Sequence, residues 1–176
     1  HQGSVKLAIL ARKAGVQRFI YMSSCSVYGV GKPDEVLDET SPVNPQTAYA
    51  ECKVKVENDL EPMNDEDFTT CFMRNATAYG ASPRQRFDIV LNDLCGLAWT
   101  TKEIKLLSDG TPWRPLVHAL DMCQAIYCAL GADKAAIGGQ RMNVGSSEQN
   151  YRVIDIAKIV AAEFPGCELS VGEPSA

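Results

Sequence analysis

An α/β fold built on a parallel sheet is what this sequence predicts, and three observations predict it. Strand and helix signals alternate along the chain. Two short runs, Arg18-Phe-Ile-Tyr-Met-Ser23 and Phe68-Thr-Thr-Cys-Phe-Met-Arg74, are nearly continuous in apolar residues, as strands covered on both faces are. Late in the chain Val153, Ile156, Ala157, Val160, Ala161 and Phe164 recur at helical spacing and form one apolar stripe.

The elements follow in order. Ser4–Ala14 reads as a helix stopped by Gly15. The strand 18–23 comes next. Residues 29–46 hold three prolines, two glycines and several acids, and read as a loop. Thr47 suits the cap of a helix carrying Tyr49, Lys53 and Glu57. After the strand 68–74, a helix is expected from Phe87 to Thr101, a strand over Glu103–Leu107, a helix over Ala119–Leu130 and a strand over Arg141–Gly145. The striped helix 152–164 and a final strand 168–171 close the chain. No repeat, low-complexity tract or linker interrupts it.

The 176 residues are 45% hydrophobic and 22% charged, enough for a real core. A net charge of −5 argues against nucleic-acid or anionic-membrane binding, which need a basic face. No apolar run reaches the roughly 18–20 residues of a membrane span. Seven cysteines without a Cys-x-x-Cys pair, and two histidines, make zinc and redox motifs poor readings. Cys71, Cys123 and Cys128 lie in apolar patterns and are expected to be reduced core residues, which fits the cytoplasm. Asp34, Glu35, Asp38 and Glu39 read as a charged surface loop rather than a metal site.

The chemistry concentrates in Tyr49, Lys53 and Ser24. A tyrosine and a lysine four apart on a helix share one face. A phenol, with an ordinary pKa of about 10, is a poor base at neutral pH, and a neighbouring ammonium favours its ionised form. A serine hydroxyl at a strand end can hold a substrate oxygen during proton transfer. These are the parts needed to deprotonate an alcohol while a cofactor takes its hydride. Taken alone, Tyr49 and Lys53 are also what two exposed helix residues in a modest surface contact look like. His118 reads as a structural hydrogen-bonder at a strand end, and Arg84 and Arg86 as solvated loop residues.

A dinucleotide-binding domain normally opens with a strand, a glycine-rich turn and a helix that receives the pyrophosphate. No such element occurs here: Gly29-Val-Gly31 is followed by Lys32-Pro33 and an acidic loop, and Gly138-Gly139 precedes a strand. Either the molecule works without a dinucleotide, or the front half of the fold lies elsewhere. For the 176 residues alone, negligible NAD binding is expected.

The motifs Ser23-Ser-Cys-Ser-Val-Tyr-Gly29, Tyr49-x-x-x-Lys53-x-x-x-Glu57, Arg74-x-x-x-x-Tyr79-Gly80 and Arg114-Pro-Leu-Val-His118 occur in this order. Together they resemble the extended short-chain dehydrogenase/reductases, in particular the NAD-dependent epimerase/dehydratase family acting on nucleotide sugars. The resemblance covers nearly the whole chain and sets residue 1 well inside a typical member, with the other end clipped after Val171. It implies a partial Rossmann-like, doubly wound parallel sheet: residues 1–80 the C-terminal part of the nucleotide-binding domain, and residues 81–176 mainly a small α/β substrate-binding portion, with a returning helix and strand near 119–145.

Carried over position by position, the resemblance makes Tyr49 the acid/base on the sugar hydroxyl. Lys53 holds the nicotinamide ribose, Ser24 binds the reacting oxygen, and Ser23 lines the nicotinamide side. Thr77 stands where the family often has an asparagine near substrate and cofactor, and Asn75 is two places out of that register. Asn92 resembles a residue that touches the nucleotide, and Arg114 the arginine that meets the diphosphate. Sugar 4,6-dehydratases usually carry acids where this chain has Cys25 and Ser26, which favours epimerisation or simple oxidoreduction. The implied cofactor is NAD or NADP, and the implied partners are a nucleotide sugar and, through the helix of Tyr49 and its Ser4–Ala14 neighbour, a second copy in a homodimer. The rival reading is a truncated, non-catalytic remnant; an NAD(P)-dependent sugar-nucleotide reductase or dehydrogenase is a further alternative.

Overall fold

A computed structural model describes residues 1–31 and 35–173. The elements are α1 (Gln2–Lys13), β1 (Arg18–Ser24), a 3₁₀ turn (Cys25–Tyr28), α2 (Ala48–Leu60), a second 3₁₀ turn (Glu61–Met63), β2 (Thr69–Asn75) and β3 (Thr77–Tyr79). They continue with α3 (Val90–Thr100), β4 (Glu103–Leu106), β5 (Trp113–His118), α4 (Ala119–Gly131) and α5 (Lys134–Ile137). The last are β6 (Arg141–Val144), β7 (Asn150–Arg152), α6 (Val153–Glu163) and β8 (Glu168–Val171). The chain is an α/β fold with parallel sheets, and it divides into two compact units.

The first unit comprises His1–Ala76 and Met122–Val144. Its sheet runs β1-β2-β6, all parallel, with Arg18 opposite Thr69 and Ser24 opposite Asn75. β2, in the middle, is buried at all seven positions, which is why its sequence does not alternate. Helices α1 and α2 pack through Ala8, Val56 and Leu60 onto Phe68 and Phe72, with Phe19 and Tyr21 of β1 beside them. α1 stops where Gly15 takes φ 80°, a left-handed conformation that spares glycine the Cβ clash. Thr47 caps α2: its hydroxyl accepts from the Ala50 amide at 3.2 Å. Arg18 ties β1 to the C-terminal end of α4, donating to the carbonyls of Ala129 (3.1 Å) and Ala132 (2.5 Å).

The second unit comprises Thr77–Asp121 and Gly145–Ala176. β3 pairs parallel with β5, β5 antiparallel with β7, and β4 parallel with β8. Its core joins Leu94 and Ala98 of α3, Ile104 and Leu106 of β4, Leu116 of β5, and Ile156, Ala157 and Val160 of α6. The apolar stripe of the last helix is thus the face that closes this core.

One expectation is corrected. Cys71 is buried in β2, but Cys123 and Cys128 are exposed on α4, together with Leu120, Tyr127 and Leu130. The apolar pattern of α4 is wide enough that only part of it, around Ala129, is covered. None of the seven cysteines forms a disulfide. Of the acidic loop, Asp34 lies outside the described residues; Asp38 accepts from the hydroxyls of Thr40 and Ser41 and closes a local turn. No helix among the described residues is long and apolar enough to cross a membrane.

Candidate active site

The site starts at the C-terminal end of β1, where parallel sheets place their ligands. Ser24 is the last residue of the strand, and its Oγ caps the following 3₁₀ turn by accepting from the Ser26 amide at 3.2 Å. The turn returns through Gly29 at φ 72° and ψ −140°. A Cβ there would collide with the carbonyl oxygen of Asn44, whose amide donates to Val27 at 2.9 Å. Glycine is therefore required where the chain leaves the site.

Tyr49 and Lys53 come from the first two turns of α2. Tyr49 is exposed at 58%, which leaves its ring open to a ligand. Lys53 is half-buried: its Nζ donates to the Met22 carbonyl at 2.6 Å and stands 5.3 Å from the centroid of the Tyr49 ring and 4.8 Å from that of Tyr21. Burial pushes the Lys53 ammonium below its ordinary value, and the Glu57 carboxylate opposes the shift. Tyr21 shifts the other way, raised mainly by its own burial although Ser4 hydrogen-bonds to it. The ammonium is thus held between two phenol rings and a backbone carbonyl. It carries three N–H donors, one of them spent on Met22.

One turn beyond Lys53, Glu57 is buried at 1% exposure. It accepts from Ser23 Oγ at 2.5 Å, from Arg74 Nε and Nη2 at 3.2 and 2.7 Å, and from Arg141 Nε at 3.2 Å. Arg74, itself 3% exposed, also donates to the Tyr28 hydroxyl at 3.0 Å, and that hydroxyl donates to Asn143 Oδ1 at 2.7 Å. Ser23 therefore points its hydroxyl into this network. Asn75, opposite Ser24 in β2, donates to the carbonyls of Ser23 (3.3 Å) and Met73 (3.0 Å). Those two acceptors fix the amide's orientation and leave Oδ1 buried without a partner among the described residues. An unpaired buried acceptor calls for a donor.

The other singled-out residues lie in the second unit. Thr77 opens β3, half-buried opposite Leu116. Asn92, in the first turn of α3, donates to the Arg86 carbonyl at 2.9 Å. Arg114 is exposed on β5 and donates to the Trp113 carbonyl at 2.8 Å. His118 accepts the Leu120 amide on Nδ1 at 3.2 Å and lies edge-on to Tyr79, so it caps the start of α4. Sequence reasoning did not find the Glu57–Arg74–Arg141 cluster or the orphan acceptor on Asn75. The one hint in the sequence is Arg74, a charged residue near the end of an otherwise apolar strand.

Residues 1–145 match the model of the NAD dependent epimerase/dehydratase family. The chain belongs to this family. Among its family relatives, the UDP-glucose 4-epimerase of Mycolicibacterium smegmatis is 36% identical over 152 residues, 82% of this chain and 46% of that protein. The dTDP-D-glucose 4,6-dehydratase of Homo sapiens is 28% identical over 157 residues, 89% of this chain and 43% of that protein. An NAD-dependent NDP-hexosamine 5,6-dehydratase of tunicamycin biosynthesis superposes with a TM-score of 0.82 at 25% identity, covering 99% of this chain and 56% of that one. The chain thus spans about half the length of the relatives it matches.

Proposed function

We propose that this chain carries the proton-transfer site of an NAD-linked nucleotide-sugar epimerase. Tyr49, as phenolate, takes the proton of a sugar hydroxyl and later returns it. Lys53 keeps a positive charge beside that phenolate and offers its remaining N–H groups to a hydroxyl-bearing ligand such as the ribose of a nicotinamide nucleotide. Ser24 holds the reacting oxygen. NAD, when bound, supplies the acceptor and donor of hydride. Lys53, with donors to spare, and Asn75 Oδ1, an acceptor in want of a donor, fit such a ligand. In this reading Ser23, Tyr49, Lys53 and Thr77 serve the cofactor, and Ser24, Thr77, Asn92 and Arg114 the nucleotide sugar. The first unit belongs to the dinucleotide fold and the second to substrate binding.

The observation that carries the reading is the Lys53 ammonium, anchored on Met22 O and held 5.3 Å from the Tyr49 ring. Epimerisation is favoured over dehydration because Cys25 and Ser26 offer no carboxyl acid at the strand end. Two further parts belong to the same reading. The protein acts in the cytoplasm, consistent with seven cysteines and no disulfide. It pairs as a homodimer through α1 and α2, consistent with Leu7, Ile9 and Leu10 standing exposed on α1.

The test is turnover of UDP-glucose and other nucleotide sugars by the longest form of the protein its gene encodes. Epimerisation with no net production of NADH is expected. Tyr49→Phe should lower kcat about 10²–10⁴-fold, the usual scale of a lost acid/base group. Stoichiometric NADH would mark a dehydrogenase instead, and no turnover of any sugar a non-catalytic remnant.

A further inference from the structure

Glu57 lies one turn beyond Lys53 on α2 and takes no part in the proton transfer just described. Its surroundings are unusual for a residue that only stabilises. The carboxylate accepts four hydrogen bonds, from Ser23, twice from Arg74, and from Arg141. A second carboxylate, Glu61, takes the fork of Arg141 at 3.0 and 2.9 Å, so the cluster balances two anions against two cations. Within it the Glu57–Arg74 pair is buried, and a buried ion pair is often no more stable than apolar side chains of the same volume. Stability alone therefore does not account for it. What it provides is direction, because each donor reaches the carboxylate from a different element.

Those elements flank Ser24 on both sides. Before it, Ser23 Oγ is held by Glu57 and the Ser23 carbonyl by Asn75, while the Met22 carbonyl is held by Lys53. After it, Tyr28 is held by Arg74, which is itself held by Glu57. α2 thus grips the end of β1 through two residues of its own, Lys53 and Glu57, one turn apart. The same helix presents Tyr49 one turn earlier. We propose that the buried Glu57–Arg74 pair is a positioning device that sets the Ser24 strand end against Tyr49 and Lys53. The proposal rests on the reading of Tyr49, Lys53 and Ser24 given above.

The test uses the 176-residue chain with Glu57→Gln, Ser23→Ala and, as control, Leu60→Ala, which removes a core contact on the same helix. Amide hydrogen exchange is followed at residues 24–28 relative to the amides of β2. In Glu57→Gln and Ser23→Ala, exchange at 24–28 should rise on the order of tenfold relative to β2, the loss of one to two hydrogen bonds' worth of protection. In Leu60→Ala the two segments should move together. The titration of Lys53, followed by NMR of ¹³C-labelled lysine, should fall further below its ordinary value in Glu57→Gln, because burial then acts without an opposing anion. If Glu57→Gln does not fold, Ser23→Ala decides. Unchanged relative exchange at 24–28, or the same response in Leu60→Ala, would overturn the proposal. Neither readout involves a sugar or a nucleotide. A failure here therefore leaves Tyr49 as acid/base untouched, and a fully active Tyr49→Phe enzyme would remove that reading without altering the exchange pattern.

Discussion

Arg74 and Glu57 are both almost fully enclosed, so neither can lose its partner cheaply. Arg74→Met leaves a buried carboxylate short of two donors, and unfolding of the chain in urea should show a loss of about 3–5 kcal/mol. The double variant Glu57→Leu/Arg74→Met should recover part of that loss; a double-variant loss equal to the sum of the two single losses would mean the residues act independently. At this scale the sequence shows only what is local. Tyr49 and Lys53 are legible because four residues on a helix always meet, and Thr47 because a cap acts on its own first turn. The contacts of Glu57 join residues far apart in sequence, from Ser23 to Arg141, and nothing in local spacing marks them. The orphan acceptor on Asn75 depends on two backbone carbonyls that only the folded sheet supplies.

Between elements, the turns and ties that hold the strand end can be probed singly. Gly29→Ala places a side chain in a backbone conformation reserved for glycine and against the Asn44 carbonyl. It should destabilise the chain by about 1–3 kcal/mol in urea unfolding. The Arg141–Glu61 fork ties β6 to the 3₁₀ turn after α2, and its hydrogen bonds hold the Glu61 carboxyl below its ordinary 4.5. A carboxyl whose folded pKa is depressed contributes stability above the unfolded value and loses it as pH falls through the folded one. Stability should therefore decline below about pH 4.5 in part through Glu61, and Glu61→Gln should flatten that part of the profile. The long helices and buried strands were readable because their periodicity is strong. The three-residue strands β3 and β7 were not, since so short a run has no period and exists only through pairing with β5. Cys123 and Cys128 show the same limit: an apolar helix pattern does not say which part of the face is covered.

As a whole, the molecule is two compact units assembled from a chain that passes between them and returns. In the first, β1 forms an edge of its three-stranded sheet among the described residues. Exposed edges of apolar strands pair readily with other chains. Sedimentation should show self-association that rises with concentration. Leu10→Lys on the exposed face of α1 should reduce the pairing proposed through α1 and α2, and Ile20→Lys any association through this edge; a profile unchanged by both would contradict the two contacts. The order of the motifs made the family legible from sequence: they fall at the end of β1, along α2, from β2 through β3, and along β5. The measurement that tests the central claim most directly is the epimerisation rate of Tyr49→Phe against the unaltered protein, in the longest form its gene encodes, with UDP-glucose or whichever nucleotide sugar proves active. A fall of about 10²–10⁴-fold in kcat with the fold intact is the result predicted here, and undiminished turnover would contradict it.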